Sequence, residues 1–270
     1  MLTEKQNFIE ETSENISLFS FAFCGTNKDF VEFSLTNLAK LAEPENWHNE
    51  DNDFGILNYY IRNTFKRCHE KELIVYNQSE DSCIFNTGLL TSNGNEIVGL
   101  FEKNDRANAQ QWRIKGFFGF DERIISHKFT KVPELATYTD DPAAYYFNIK
   151  DDIILSTDHV IDDNWDRYDQ RLQSFGKSVI KTLLPGAFEV AKKKVRRNAQ
   201  LAVPQFYNGE LMFLLPISFP LNDTDQVIMA LAIEKLENGK YRANTIFTTK
   251  MAYQKARLLS KPDSNWLLTN

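Results

Sequence analysis

Lys240-Tyr241-Arg242-Ala243-Asn244-Thr245-Ile246-Phe247-Thr248-Thr249 leads through Lys250 into Met251-Ala252-Tyr253-Gln254-Lys255-Ala256-Arg257-Leu258-Leu259, and this handover decides the fold class. The first part alternates at period two, as a half-buried strand does, whereas Met251, Ala252, Lys255, Ala256 and Leu259 recur at helical spacing. Lys261-Pro262-Asp263 stops the helix. Thr248 or Thr249 is expected at the N-cap, where first-turn amides can hold an anion.

Working back along the chain, the apolar run Val227 to Ile233 reads as a central strand buried on both faces, with a further strand over Met212 to Ile217. Arg171 to Gln200 has a helical pattern, and Pro185-Gly186 is expected to divide it, with Pro185 in the first turn of a second helix. Ala187, Phe188, Ala191 and Val195 face inward, leaving Lys192, Lys193, Lys194, Arg196 and Arg197 on the other faces. Nearer the N-terminus, residues 1–15 read as a loose arm, and Phe19, Phe21 and Phe23 alternate as in a strand. Phe30 to Leu41 and Ile56 to Phe65 show helical spacing on either side of a polar run over Glu43 to Asp53. From Leu73 the period changes to that of strands: Leu73 to Tyr76, Cys83 to Phe85, Gly88 to Thr91, Glu96 to Phe101, Trp112 to Phe120 and Tyr145 to Ile149. Asn93-Gly94 signals a hairpin with a tight two-residue primed turn, because Asn and Gly tolerate positive backbone angles. The expected architecture is α+β: a mixed or largely antiparallel sheet packed with helices, with a helical N-terminal portion. It is read as one domain over residues 16–270, helical over about 30–70, sheet-rich over about 73–150 and helix–strand over about 165–267.

Composition limits the function. A chain of 270 residues with 42% hydrophobic content and 21 Phe can bury a substantial core. A net charge of -6 argues against a generally basic nucleic-acid coat, so any contact with RNA must come from a local patch. Cys24, Cys68 and Cys83 lack C-x-x-C spacing and read as small buried residues, the N-terminus lacks a signal pattern, and a reducing cytoplasm is the expected location. No apolar run approaches the roughly 20 residues that cross a bilayer, so no membrane span is expected.

Three groups of residues carry candidate chemistry. Lys192 to Arg197 holds five cations in six residues, with Lys193, Arg196 and Arg197 as expected phosphate contacts, and Gln205, Phe206 and Tyr207 follow closely. Cations beside an amide and aromatic rings are what single-strand or nucleotide recognition uses. Asp158-His159-Val160-Ile161-Asp162-Asp163-Asn164-Trp165-Asp166-Arg167 joins an imidazole to carboxylates and a guanidinium. His159 with Asp162 or Asp163 can serve as acid or base on a phosphoester, with Arg167 or Arg171 steadying negative charge. Asp162, Asp163 and Asp166 leave a divalent ion open as a cofactor, although neither the calcium-loop spacing nor a second histidine at i+4 is present and no residue is assigned as a metal ligand. Asn86-Thr87-Gly88 offers donors and acceptors at a glycine where backbone can approach a ligand, or simply a bulge. Phosphate-loop, dinucleotide, nucleophile-elbow and H-E-x-x-H motifs are absent.

Leu41-Ala42-Glu43-Pro44-Glu45-Asn46-Trp47, Phe85-Asn86-Thr87-Gly88-Leu89, Val203-Pro204-Gln205-Phe206-Tyr207 and the closing Met251-Ala252-Tyr253, Ala256-Arg257-Leu258-Leu259 and Pro262-Asp263-Ser264-Asn265-Trp266-Leu267 together resemble the family catalogued as domain of unknown function 3825. The likeness spans most of the chain. It implies work on RNA, because members are sometimes joined to RNA-associated modules. With that association, Asn86, Arg197, Gln205, Tyr207, Tyr253 and Arg257 are expected to converge on one site, and Thr87 and Thr248 are further expected ligand contacts. The leading expectation is RNA or nucleotide binding through a cationic cleft. The alternatives are an RNA-end or nucleotide-processing phosphoesterase or phosphotransferase, and a protein-interaction module without a nucleotide ligand.

Overall fold

Residues 16–48, 54–106, 109–222, 225–262 and 266–267 are described by the computed structural model, and the arm expected over residues 1–15 lies outside them. The chain has an α+β fold in two units, residues 1–137 and 138–270, each built on its own five-stranded sheet.

The first unit begins with α1 (Leu18–Phe21) and β1 (Ala22–Phe23). The alternating Phe19, Phe21 and Phe23 therefore do not form one strand. Ser17 and Ser20 cap each other reciprocally, which stabilises a helical turn and leaves only Ala22 and Phe23 extended beside β5. Thr26 and Asp29 form a second reciprocal cap for α2 (Asn27–Asp29), which continues through a π-helical turn over Phe30–Leu35 into α3 (Thr36–Leu41). The expected second helix is α4 (Gly55–Glu70), which buries Ile56, Leu57, Tyr60, Ile61, Phe65 and Cys68 along one stripe. The sheet follows as β2 (Val75–Tyr76), β3 (Ser82–Leu90), β4 (Glu96–Lys103) and β5 (Trp112–Gly119), then α5 (Arg123–Ser126). Its order is β1-β5-β4-β3-β2, antiparallel except for the β1–β5 pair.

One face of this sheet packs under α4 through the rings of Phe65, Phe85 and Phe101, whose centroids lie 5.2 to 5.7 Å apart. The other face carries Ile84, Val98 and Leu100 against Ile125 and Phe129. The β3–β4 connection is the expected hairpin, with a different turn. Gly94 alone takes a positive φ of 79°, and the Gly94 N–H donates to the Thr91 carbonyl at 2.8 Å. A three-residue loop closed by a glycine bulge therefore replaces the two-residue primed turn.

Asn86, Thr87 and Gly88 form a bulge inside β3, where the register with β4 shifts between Asn86 and Leu90. Gly88 has a φ of +72°. The Gly88 N–H donates to Asn86 Oδ1 at 2.9 Å, Thr87 Oγ1 donates to the Ile97 carbonyl at 2.7 Å, and Tyr60 Oη donates to the Thr87 carbonyl at 2.9 Å. The side chains thus replace the ladder bonds that the bulge removes.

In the second unit the expected strand over Tyr145 to Ile149 is absent. Pro142–Tyr145 forms a 3-10 turn, and Phe147 inserts its ring between Phe213 and Tyr241 at 5.2 and 4.8 Å, so the aromatic run serves as a core plug. The elements that follow are β6 (Ile153–Leu155), α6 (Thr157–Asp162), α7 (Gln170–Gln173), α8 (Lys177–Arg197), β7 (Val203–Tyr207), β8 (Glu210–Pro220), β9 (Gln226–Lys235), β10 (Tyr241–Phe247) and α9 (Thr249–Ala256). The sheet order is β6-β10-β9-β8-β7, with β6 and β10 parallel and the rest antiparallel. The Val227 run therefore does lie in the central strand.

Pro185 does not divide the helix, because α8 is continuous through it. The missing Pro185 N–H and ring clash cost about 3 kcal/mol in a helix interior. Against this, Ile180, Leu184, Phe188, Ala191 and Val195 form one buried stripe across the proline, and each large apolar side chain contributes about 1.5–3 kcal/mol when buried. Packing therefore wins, with Pro185 and Gly186 left on the exposed side. No helix among the described residues is long and apolar enough to cross a membrane.

Two glycines give opposite expectations. A Cβ at Gly88 would sit 2.6 Å from Tyr60 Oη on a backbone with positive φ, so Gly88→Ala should destabilise the protein by about 1–3 kcal/mol. Gly186 has open space and no unusual φ, so Gly186→Ala should stabilise it by about 0.5–1 kcal/mol through helix propensity. Urea unfolding of the two variants beside wild type measures the pair; a neutral or stabilising Gly88→Ala contradicts the first assignment.

Candidate functional site

Strand β10 distributes its side chains to two layers. Ile246 joins the core under α6, α7 and α8, together with Phe213, Leu231 and Ile233. Its neighbour Phe247 points to the opposite face, where the Lys255 ammonium of α9 lies 5.2 Å from its ring. Gln205, Met212, Glu234 and Arg242 pair in one cross-strand row, and Glu234 alternates with the core residue Ile233, so this row shares the α9 face. Tyr207, two residues from Gln205, stacks under Lys255 at 4.7 Å.

The edge beside β10 supplies the other groups. β6 pairs only with Tyr241, Arg242 and Ala243, and where it has ended the Ile246 carbonyl accepts from Arg167 Nη1 at 3.3 Å. Asn164, buried at the end of α6, donates to the carbonyls of His159 and Val160 at 2.9 and 3.3 Å, and its Oδ1 accepts from Arg167. Asn164 thus satisfies the helix end and aims the guanidinium with the same amide. The Arg167 guanidinium lies 5.4 Å from the Phe247 centroid, so two cations share one ring. Among the described residues no carboxylate lies within ion-pair distance of Arg167. Burial pulls the Lys255 ammonium below its usual range, and the positive charge of Arg167 adds to this.

Arg167 and Asn164 open onto a cavity of about 630 Å³ that also exposes His159, Asp163, Arg242 and Asn244. The bulge between Ala243 and Thr245 leaves Asn244 outside the ladder, where it donates to Glu234 at 3.3 Å. Glu234 also pairs with Arg242 at 3.7 Å, so Arg242 is compensated where Arg167 is not. His159 Nδ1 lies 2.9 Å from Asp163 Oδ2, one helical turn on. Asp162 faces away from that pair: it bonds Lys181 at 2.7 Å and lies 3.5 Å from Lys177 on α8. Among the described residues no three carboxylate, imidazole or thiol groups converge as a metal requires, and this covers Asp162, Asp163 and Asp166.

The remaining expected ligand residues divide by layer, so Arg197 on α8 and Arg257 at the end of α9 lie on opposite faces of the second sheet and do not share one cleft. Lys193, Arg196 and Arg197 are exposed on α8, which packs on the face of the sheet opposite α9, and Arg197 Nη1 donates to the Lys193 carbonyl at 2.9 Å. Lys192 pairs with Glu189. The basic run is therefore partly spent on its own helix. Tyr253 and Arg257 are buried on α9 and its C-terminal end, and the Met251 N–H donates to Thr248 Oγ1 at 3.2 Å, so the expected N-cap is made by Thr248. Gln205 is 1% exposed, and its Oε1 is buried without a hydrogen-bond donor among the described residues. In the first unit Asn86 and Thr87 are buried, with Asn86 Nδ2 donating to the Pro133 carbonyl at 3.0 Å and their other polar atoms engaged in the β3 bulge.

The three thiols are buried and free. Burial pushes Cys24 and Cys68 up to about 12 and raises Cys83 as well, so none carries thiolate at neutral pH. Sequence reasoning did not single out Lys255, Phe247, Asn164 or Asn244 as site residues. Lys255 had a legible signal, a charge at an inward position of a helical stripe. The bulge that displaces Asn244 left none.

Lys181 also provides a titration test. Its hydrogen bond, with the charges of Lys181 and Lys177 adding, holds the Asp162 carboxyl below the usual carboxylate range. A depressed carboxyl stabilises the folded state above its unfolded pKa and loses that contribution as pH falls through the folded value. Lys181→Met should therefore move Asp162 up toward an ordinary carboxylate, with any stability difference from wild type shrinking in acid. Carboxyl-detected NMR titration reads this directly; an unmoved Asp162 refutes the pairing.

Residues 38–266 match the family model described as Domain of unknown function (DUF3825). No curated protein and no solved structure matches the chain.

Proposed function

Starting from the fact that the chain belongs to the family described as Domain of unknown function (DUF3825), we propose that it binds RNA or a nucleotide through phosphate on the α9 side of the second sheet. The observation that carries this reading is Arg167: its guanidinium is held by neutral acceptors, shares the Phe247 ring with Lys255 and borders an open cavity. A guanidinium held by neutral acceptors keeps its charge uncompensated, and a phosphate oxygen is a suitable acceptor for its planar edge. Tyr207 offers an exposed ring to a base, and Gln205 a buried acceptor for an N–H. Arg257, at the C-terminal end of α9, belongs to the same layer.

The His159–Asp163 pair on the same cavity favours a second reading, in which the bound phosphoester is processed with His159 as acid or base oriented by Asp163. Arg167 would then steady the charge that develops on phosphorus-bound oxygen.

The test is binding of an end-labelled single-stranded RNA across a salt series. Arg167→Ala should weaken binding about tenfold and lower the salt slope by about one unit, the loss of one phosphate contact. Equal affinity and slope for Arg167→Ala and wild type would exclude this site. Gel analysis of the same label separates the readings: altered ends that vanish in His159→Ala establish processing, and unaltered RNA leaves binding alone.

A further inference from the structure

The first unit holds a second cavity, of about 660 Å³, at the end of its sheet where Tyr76 of β2 and Trp112 of β5 meet. These strands are separated by β3 and β4, yet their rings approach to 5.7 Å between centroids. Phe21 continues the wall, nearly parallel to Trp112 at 6.1 Å and 11°. Trp112 is 4% exposed and fixed by this packing, whereas Tyr76 is 48% exposed and presents ring surface to solvent. Glu80 and Lys103 line the same cavity, both exposed. Neither makes an ion pair among the described residues, although each is within reach of the space between them.

The combination selects a ligand by exclusion. A simple cation would be drawn to the rings and to Glu80 and repelled by Lys103, and a simple anion would meet the reverse. A purely apolar body would leave both charges unused. A planar heteroaromatic ring with an N–H edge and an attached phosphate uses the rings and both charges: the ring lies on Tyr76, the N–H edge donates to the Glu80 carboxylate and the phosphate meets the Lys103 ammonium.

We propose that the Phe21–Tyr76–Trp112 cavity of the first unit is a nucleotide-binding site, with Tyr76 as the stacking platform, Glu80 reading the base edge and Lys103 holding the phosphate. The ligand is a free mononucleotide or one nucleotide of a single strand. The site shares no residue with the Arg167 site of the second unit, so either assignment can fail alone.

The test uses the full chain and its tryptophan fluorescence, titrated with AMP, CMP, GMP, UMP, adenosine and a single-stranded RNA decamer. Saturable quenching that is lost in Trp112→Phe is expected from at least one nucleotide or from the decamer. Saturation by mononucleotides identifies the free nucleotide as ligand, and saturation by the decamer alone identifies the strand. Tyr76→Ala should weaken binding about tenfold, the order of one lost base–aromatic stack. Lys103→Ala, on an exposed side chain that leaves folding intact, should weaken nucleotide or strand binding and leave any adenosine binding unchanged. The proposal is overturned if folded wild-type protein shows no saturable Trp112 signal with any of these ligands, or if Lys103→Ala binds nucleotide and strand as wild type does. Failure here is read at Trp112, and failure of the second-unit site in the salt series of Arg167→Ala.

Discussion

The pleat of β10 is the constraint on which the second unit depends. Successive residues of a strand must point to opposite faces, so once Ile246 is committed to the core under α8, Phe247 has to face α9. That one alternation places an aromatic ring within reach of both Arg167, arriving from the α6 side, and Lys255, arriving from α9. The early end of β6 completes the arrangement, because it leaves the Ile246 carbonyl free to accept from Arg167. A longer β6 would pair that stretch of β10 with a strand instead. The candidate site is thus a consequence of where a ladder stops and of which face a ring must take.

The first unit meets a comparable problem in the opposite way. Its bulge at Asn86, Thr87 and Gly88 also interrupts a ladder, but there the polar atoms turn inward and close the gap themselves. A buried polar group without a partner is costly, and here Asn86 and Thr87 serve Gly88, Ile97 and Pro133. Where the second unit leaves polar capacity open, at Gln205 and Arg167, it does so on the face that carries an exposed Tyr207. The same residue types, amide and hydroxyl beside a bulge, therefore act as structural fasteners in one sheet and line a cavity in the other.

Several elements were legible in the sequence because their signal is local. A threonine cap at Thr248 or Thr249 and the strand-to-helix handover at the C-terminus, the central Val227 run and the stripe of α4 follow from period, capping and length alone. Two strand-like runs are not strands, each for its own reason. Phe19 to Phe23 and Tyr145 to Ile149 have strand-like composition, but a reciprocal Ser17–Ser20 cap decides the first and the Phe213–Tyr241 gap that Phe147 fills decides the second. Pro185 reads as a boundary only until the buried stripe on the far side of its helix is counted. The basic run from Lys192 to Arg197 is conspicuous because it is contiguous, whereas Arg167 and Lys255 are 88 residues apart and come together at Phe247.

By itself the sequence determined the α+β class, the helix stripes, the central strand and the caps, since each depends on spacing within one segment or on a turn's own side chains. Tertiary structure alone decided which charges from distant segments lie together. Whether a lysine ends on a solvated helix or above a buried ring depends on the face its sheet presents, and that face is set by pairing between residues far apart in the chain.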